Sequence, residues 1–323
     1  MELQLLLSNL TNPTLLFFVL GIVAFVVKSD LEIPPTTIKF ISLYLLFSIG
    51  FKGGQELAHE EVTLKLMGEL GFGVALASLI PIPTFFVLRR RLGVQNAGAI
   101  AAAYGSVSAV TFVAATGFLE AKGLFMNGHM VAIMALMESP AIVVGMALLM
   151  RFDREAESRP DLGHIVRHSL TNGSVLILVG SLVIGLVADT KQAEGIKPFT
   201  TDIFKGFLAV FLLEMGMVTA TRFGAFRAYG RFVSAVALGL PLLHGCTVAW
   251  VSAWVTPDVA DRFMFAILAA SASYIAVPAA MRLAAPKADP GLYIPMALGV
   301  TFPLNMTIGM PLYLGIVQAT SAS

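Results

Sequence analysis

The sequence predicts an all-α, polytopic membrane protein of about ten transmembrane helices, and three observations carry that prediction. Hydrophobic residues make up 57% of the 323 while charged residues make up 13%, at a mean hydropathy of +0.84. A soluble domain carries about 25% charged residues, so an exterior this poor in charge must face the lipid bilayer. The apolar residues also fall into stretches near the roughly 20 residues that a spanning helix needs, and the charges gather between them. The formal charge of +1 gives no reason to expect a nucleic-acid partner. Cys246 is the single cysteine, which excludes an intrachain disulfide and a cysteine-based zinc site. The opening Met1-Glu2-Leu3-Gln4 lacks the basic segment of a signal peptide, so the first apolar stretch is expected to be retained.

The expected spans are 13–28, 37–54, 69–88, 95–119, 129–150, 171–188, 202–220, 232–255, 262–282 and 291–317. Glu56 to Lys65 separates the second and third, and Arg89-Arg90-Arg91 separates the third and fourth. The longest break, from Arg151 to His168, contains Asp153, Arg154, Glu155, Glu157, Arg159 and Asp161. Sorting the basic residues onto alternate loops puts 14 on one side and 7 on the other. The positive-inside rule assigns the richer side to the cytoplasm, which leaves both termini outside it in a cell (inner or plasma) membrane.

The two halves of the chain echo each other. Asn12-Pro13-Thr14 opens the first span and Asn172-Gly173-Ser174 the sixth. Leu46-Phe47-Ser48-Ile49-Gly50 in the second resembles Leu212-Leu213-Glu214-Met215-Gly216 in the seventh. Phe72, Ala75, Ala77 and Pro81 recur as Phe232, Ala235, Ala237 and Pro241. Gly105-Ser106-Val107-Ser108 matches Ala270-Ser271-Ala272-Ser273, and Pro140 corresponds to Pro303. Five spans per half is an odd number, so the second half enters the membrane from the opposite side. The expected organisation is a 5+5 inverted repeat: 1–150, a cytoplasmic linker at 151–170, and 171–323. Many alternating-access proteins are built this way.

The fourth and ninth spans each carry Ser-x-Ser among small residues. Gly105 supplies conformational freedom for a break in one, and Pro278 removes a backbone donor in the other. A helix that restarts in mid-membrane presents free N–H groups and the positive end of its dipole, which together attract an anion. Gly105, Ser106, Val107, Ser108, Ser271, Ala272 and Ser273 are therefore the candidate anion site. The alternative is close packing of small residues between helices. Glu138, in Met137-Glu138-Ser139-Pro140, and Glu214 are intramembrane carboxylates, which usually mark ion paths. A cation beside Glu138 would also find the carbonyl that Pro140 frees, and Asn305, two residues past Pro303, offers an amide oxygen in the repeat partner. The alternative for Glu138 is a protonated side chain bonded to a neighbouring helix. His129 sits at a span edge. No phosphate-binding glycine loop, His-Glu-x-x-His or Gly-x-Ser-x-Gly is present, which speaks against an enzyme.

Gly105-Ser106-Val107-Ser108-Ala109, Met137-Glu138-Ser139-Pro140-Ala141, Phe211 to Met217 and Ala270-Ser271-Ala272-Ser273-Tyr274 resemble the sodium-dependent bicarbonate permease family of cyanobacteria and other bacteria. The resemblance covers essentially the whole chain. It implies gate and core domains, a homotrimer, and bicarbonate import by symport with sodium as the coupling ion and no other cofactor. It places the anion at Ser106, Ser108, Ala272 and Ser273, and it implies a trimeric PII-like regulator bound from the cytoplasm to a basic face including Arg89, Arg90, Arg91, Arg222 and Arg227. The chain departs from the family in having Glu138 where members carry Asp, and in a short central linker. Competing expectations are a different small anion or a membrane-embedded enzyme.

The orientation gives a direct test. A tag at position 160 should be labelled only from the cytoplasm and a tag after Ser323 only from outside; the reverse pattern refutes the charge argument.

Overall fold

The computed structural model describes residues 13–59, 63–153, 173–226, 230–274 and 287–321, together with positions 167, 277, 281 and 285. Among the described residues every element is helical and no strand occurs. In chain order the helices are α1 (Pro13–Val26), α2 (Pro35–Leu57), α3 (Leu64–Leu79), α4 (Pro81–Gly105), α5 (Ala109–Ala121) and α6 (His129–Phe152). There follow α7 (Gly173–Val187), α8 (Thr190–Glu194), α9 (Phe204–Phe226), α10 (Gly230–Val251), α11 (Val259–Ala270) and the long α12 (Pro290–Ser321). Pro278 and most of the linker, and Asn12 and Asn172, lie outside the described residues.

Five helical stretches among the described residues are long and apolar enough to cross a membrane: Leu64–Ala121, His129–Phe152, Pro198–Thr221, Gly230–Trp254 and Pro290–Ser321. Leu16–Val26 and Leu176–Val187 are shorter apolar helices. The first stretch has 58 residues, which as one straight helix would reach about 87 Å, against a hydrocarbon core of about 30 Å. It must fold back, and it does so at Gly93, where φ is 78° and ψ 165°. That left-handed φ suits glycine.

The turn corrects the expected boundary between the third and fourth spans. Arg89, Arg90 and Arg91 are not a loop; they extend the helix to the turn. Aromatic rings explain the extra turn of helix. The Arg89 guanidinium lies 4.6 Å from the centre of the Phe86 ring and 4.7 Å from that of Phe152, and Arg91 lies 4.6 Å from that of Phe232. The break expected at 262 is also displaced. Arg262 is a buried residue of α11, not a loop cation.

α1 packs along α9, and α2 packs along α7. Both pairs close on glycine. A Cβ on Gly216 would lie 3.1 Å from the Gly21 Cα and collide with the Phe18 carbonyl; a Cβ on Gly185 would lie 3.1 Å from the Gly54 Cα and collide with the Phe51 carbonyl. Gly21 in turn abuts the Leu213 carbonyl, and Gly54 the Leu182 carbonyl. On α2 the glycine in close contact with Gly185 is Gly54, one helical turn beyond the Gly50 of the sequence echo. Gly50 also faces α7, against Leu178 and Ser181, so two glycines four apart line one groove. The opposite faces of α1 and α7 expose Leu16, Val19, Val23, Leu176, Val183 and Val187, a surface suited to lipid.

Without side chains between them, these helices gain backbone dispersion contacts. Gly216→Val and Gly185→Val should each lower stability by about 1–3 kcal/mol through overpacking, whereas Gly68→Ala, with nothing near its added methyl, should be neutral or stabilising. Melting curves of the purified variants decide the matter, and equal curves for all three would remove the glycine contacts from the account.

Candidate functional site

Helix α4 ends at Gly105, where a side chain would collide with the Pro81 ring and sit 3.3 Å from the Ala141 Cβ. Ser106 follows in extended backbone, with φ −83° and ψ 175°, and Ser108 has φ −107° and ψ 109°. The Ser108 hydroxyl accepts the Thr111 N–H at 3.2 Å and so caps the restart, α5. Helix α11 ends in the same manner at Ser271, with φ −81° and ψ 167°. Beyond it the Ser273 hydroxyl accepts the Val277 N–H at 3.4 Å.

The two breaks cross and bond to each other. The Ser108 N–H donates to the Ser271 Oγ at 3.1 Å, and the Ser273 N–H donates to the Ala103 carbonyl at 2.8 Å. The Ser271 hydroxyl in turn donates to the Leu268 carbonyl at 2.9 Å. Asn305 secures the end of α11: its Nδ2 donates to the Ala270 carbonyl at 2.8 Å, and its Oδ1 accepts the Tyr313 hydroxyl at 3.2 Å. Ser106, Val107, Ser108, Ser271, Ala272, Ser273 and Asn305 are all buried. Three of the four serine hydroxyls thus bond to backbone, Ser271 as a donor and Ser108 and Ser273 as acceptors that keep a proton to give. The Ser106 Oγ is buried with no hydrogen-bond partner, as is the hydroxyl of Tyr274, which lies near Ser108. The first N–H groups of α5, at Ala109 and Val110, lack intrahelical acceptors, as at the start of any helix.

Glu138 comes abreast of this crossing by helical register. Along α6, Leu149 meets Gly98, Gly145 meets Ala102, and Ala141 meets Gly105. Glu138 is next on that face, one turn from Ala141. Its side chain is half-buried, with no hydrogen bond or ion pair among the described residues. Pro140 lies inside α6 and frees the Leu136 carbonyl. Glu214 is also half-buried, on α9, but its charged neighbour is Glu32, not the crossing. The seven candidate anion residues and Asn305 therefore come together, Glu138 lies one turn along α6 from the Ala141 that meets Gly105, and the charged neighbour of Glu214 is Glu32.

A cleft opens beside the far end of α5. It is lined by Ser48, Lys52 and Glu56 of α2, Thr116 and Glu120 of α5, and Thr200 and Phe204 near the start of α9. Glu120 pairs with Lys52 at 3.2 Å and Lys205 at 3.5 Å at this mouth. Thr116 lies two turns of α5, about 12 Å, from Ser108.

Sequence reasoning missed several supporting residues. The Tyr104 hydroxyl lies 2.8 Å from the Thr301 Oγ1, which donates to the Ala237 carbonyl at 3.1 Å, tying three spans together behind the break. Thr301 and Asn305 lie in two π-helical turns, Met296–Thr301 and Asn305–Gly309, which no residue pattern announces. Glu69, His129 and Asp261 converge elsewhere; an Asp-Arg pair opening an apolar span was the available signal.

A family model described as the Na+-dependent bicarbonate transporter superfamily matches residues 13–318. A comparison with curated proteins finds no match.

Asn305→Ala should leave the Ala270 carbonyl unpaired in the interior and cost about 1–3 kcal/mol. The loss should appear in melting curves recorded without bicarbonate or sodium, and an unchanged curve would mean the amide does not hold the break.

Proposed function

The chain belongs to the Na+-dependent bicarbonate transporter superfamily, and from that premise we propose that it imports bicarbonate by symport with sodium. The single observation that carries this reading is the buried crossing of the two interrupted helices. There the Ser106 hydroxyl and the first turn of α5 offer donors to a small anion. In the proposed arrangement there are ten spans in a 5+5 inverted repeat. The glycine-closed pairs α1–α9 and α2–α7, each taking one helix from either half, support grouping these four as the gate and the rest as the core. With both termini outside, the cleft beside Glu120 faces outward.

Bicarbonate carries one negative charge, so import against an inside-negative potential of about 100 mV costs roughly 2.3 kcal/mol. One sodium moving with it cancels that electrical cost and adds its own gradient. Glu138 and the Leu136 carbonyl are the proposed sodium ligands beside the anion, with oxygen donors suited to a hard cation. Asn305 acts in this reading through the break it holds, and Glu214 takes no part in the crossing. The homotrimer and the PII-like regulator are carried by the resemblance alone. Arg89 and Arg91, two residues of the expected docking face, already lie over aromatic rings.

Uptake into sealed vesicles, with and without a sodium gradient, tests the reading. Sodium-driven bicarbonate accumulation is expected, and transport of another small anion in its place would keep the site but change the substrate. Ser106→Ala should weaken apparent bicarbonate affinity roughly 10- to 100-fold, the worth of one charge-assisted hydrogen bond of about 1.5–3 kcal/mol. Glu138→Gln should raise the sodium concentration for half-maximal uptake several-fold. Full uptake by both variants would overturn the assignment.

A further inference from the structure

Away from the crossing, three ionisable side chains from three helices meet in the interior. Glu69 belongs to α3, His129 is the first residue of α6, and Asp261 lies in the first turn of α11. Their side chains are 2%, 6% and 0% exposed. His129 Nε2 lies 2.7 Å from Glu69 Oε2 and 3.6 Å from Asp261 Oδ2, and one ligand atom from each residue falls within 4.8 Å of the other two.

Among the described residues the two carboxylates outnumber the buried cationic groups beside them. Two buried carboxylates face one imidazole, which in its neutral form has one proton to give. The neighbouring guanidinium, Arg262, turns away: it is held by the Ala249 carbonyl at 3.1 Å, the Ser252 Oγ at 3.4 Å, and the hydroxyls of Thr320 and Ser321, each at 2.5 Å. Lys65 reaches within 3.5 Å of Glu69 Oε1 but is half-exposed, and that oxygen is buried with no hydrogen bond. Burying an uncompensated carboxylate costs several kcal/mol, and a cation among the three groups removes that cost.

We propose that Glu69, His129 and Asp261 form a binding site for one divalent first-row transition-metal ion of the zinc class. Two carboxylate oxygens and an imidazole nitrogen are a ligand set for such ions, with a further position for water. Sodium, which takes oxygen ligands, does not fit an imidazole, so the site is separate from the proposed coupling ion. Asn127 supplies the outer support: its N–H donates to Asp261 Oδ1 at 2.9 Å and its Nδ2 to Oδ2 at 2.6 Å, fixing the carboxylate. The metal staples the beginnings of α3, α6 and α11, and so anchors the half-helix that ends at Ser271.

The test uses the full chain, purified and stripped with a chelator. Cobalt(II) should bind at one equivalent per chain with a visible d–d band, zinc should displace it, and saturating zinc should raise the melting temperature. Glu69→Gln and His129→Asn should each weaken cobalt binding at least about tenfold. Absence of a stoichiometric band, or unchanged binding by the folded variants, overturns the proposal. Should the variants not fold, X-ray absorption at the zinc edge of the wild type decides. One imidazole with carboxylate oxygens supports the site, and a shell of several imidazoles or of water alone overturns it.

Discussion

The structure depends on one constraint: a helix interrupted inside a membrane has no water to satisfy its freed backbone groups. Here two interruptions satisfy each other. The Ser108 N–H reaches the Ser271 Oγ, the Ser273 N–H reaches the Ala103 carbonyl, and Asn305 reaches the Ala270 carbonyl. Neither break would be tolerable alone. Close approach of the surrounding helices follows from this, since the crossing can form only where Gly105 admits Pro81 and Ala141.

The fold class was legible because it rests on composition, which no tertiary contact can override. The crossing was legible for a related reason. Ser-x-Ser among alanines in two apolar stretches is a local pattern with a local meaning, and all four serines lie where the breaks occur. Registers were less legible. Gly50 and Gly54 are equally good letters for a close contact, and only packing shows that Gly54 is the one that meets Gly185. Boundaries set by charge failed where arginine found a partner: Arg89 and Arg91 lie over rings, and Arg262 caps the ends of two helices. A charge count reads such residues as solvated.

The division of labour among the serines could not be read from sequence, because it depends on which donors the opposite break supplies. Ser271 gives its hydroxyl proton to the backbone, Ser108 and Ser273 accept backbone N–H groups and keep theirs to donate, and the Ser106 hydroxyl is buried without a partner. The Glu69, His129 and Asp261 cluster was invisible for a different reason. Its members stand 60 and 132 residues apart in the chain, and each alone looks like an ordinary polar residue at a span edge.

The two π-helical turns of α12 bear on how its length tolerates change. Each wide turn holds about one residue more than an α-helix would over the same rise. Deleting one residue from Met296–Thr301 lets that turn relax to α geometry, and the helix beyond keeps its phase. A deletion in the regular segment just before Tyr313 has no such slack. It rotates the rest of the helix by about 100°, which carries Tyr313 away from the Pro241 carbonyl and from Asn305. One helix thus contains both a shock absorber for a deletion and a stretch that transmits one in full.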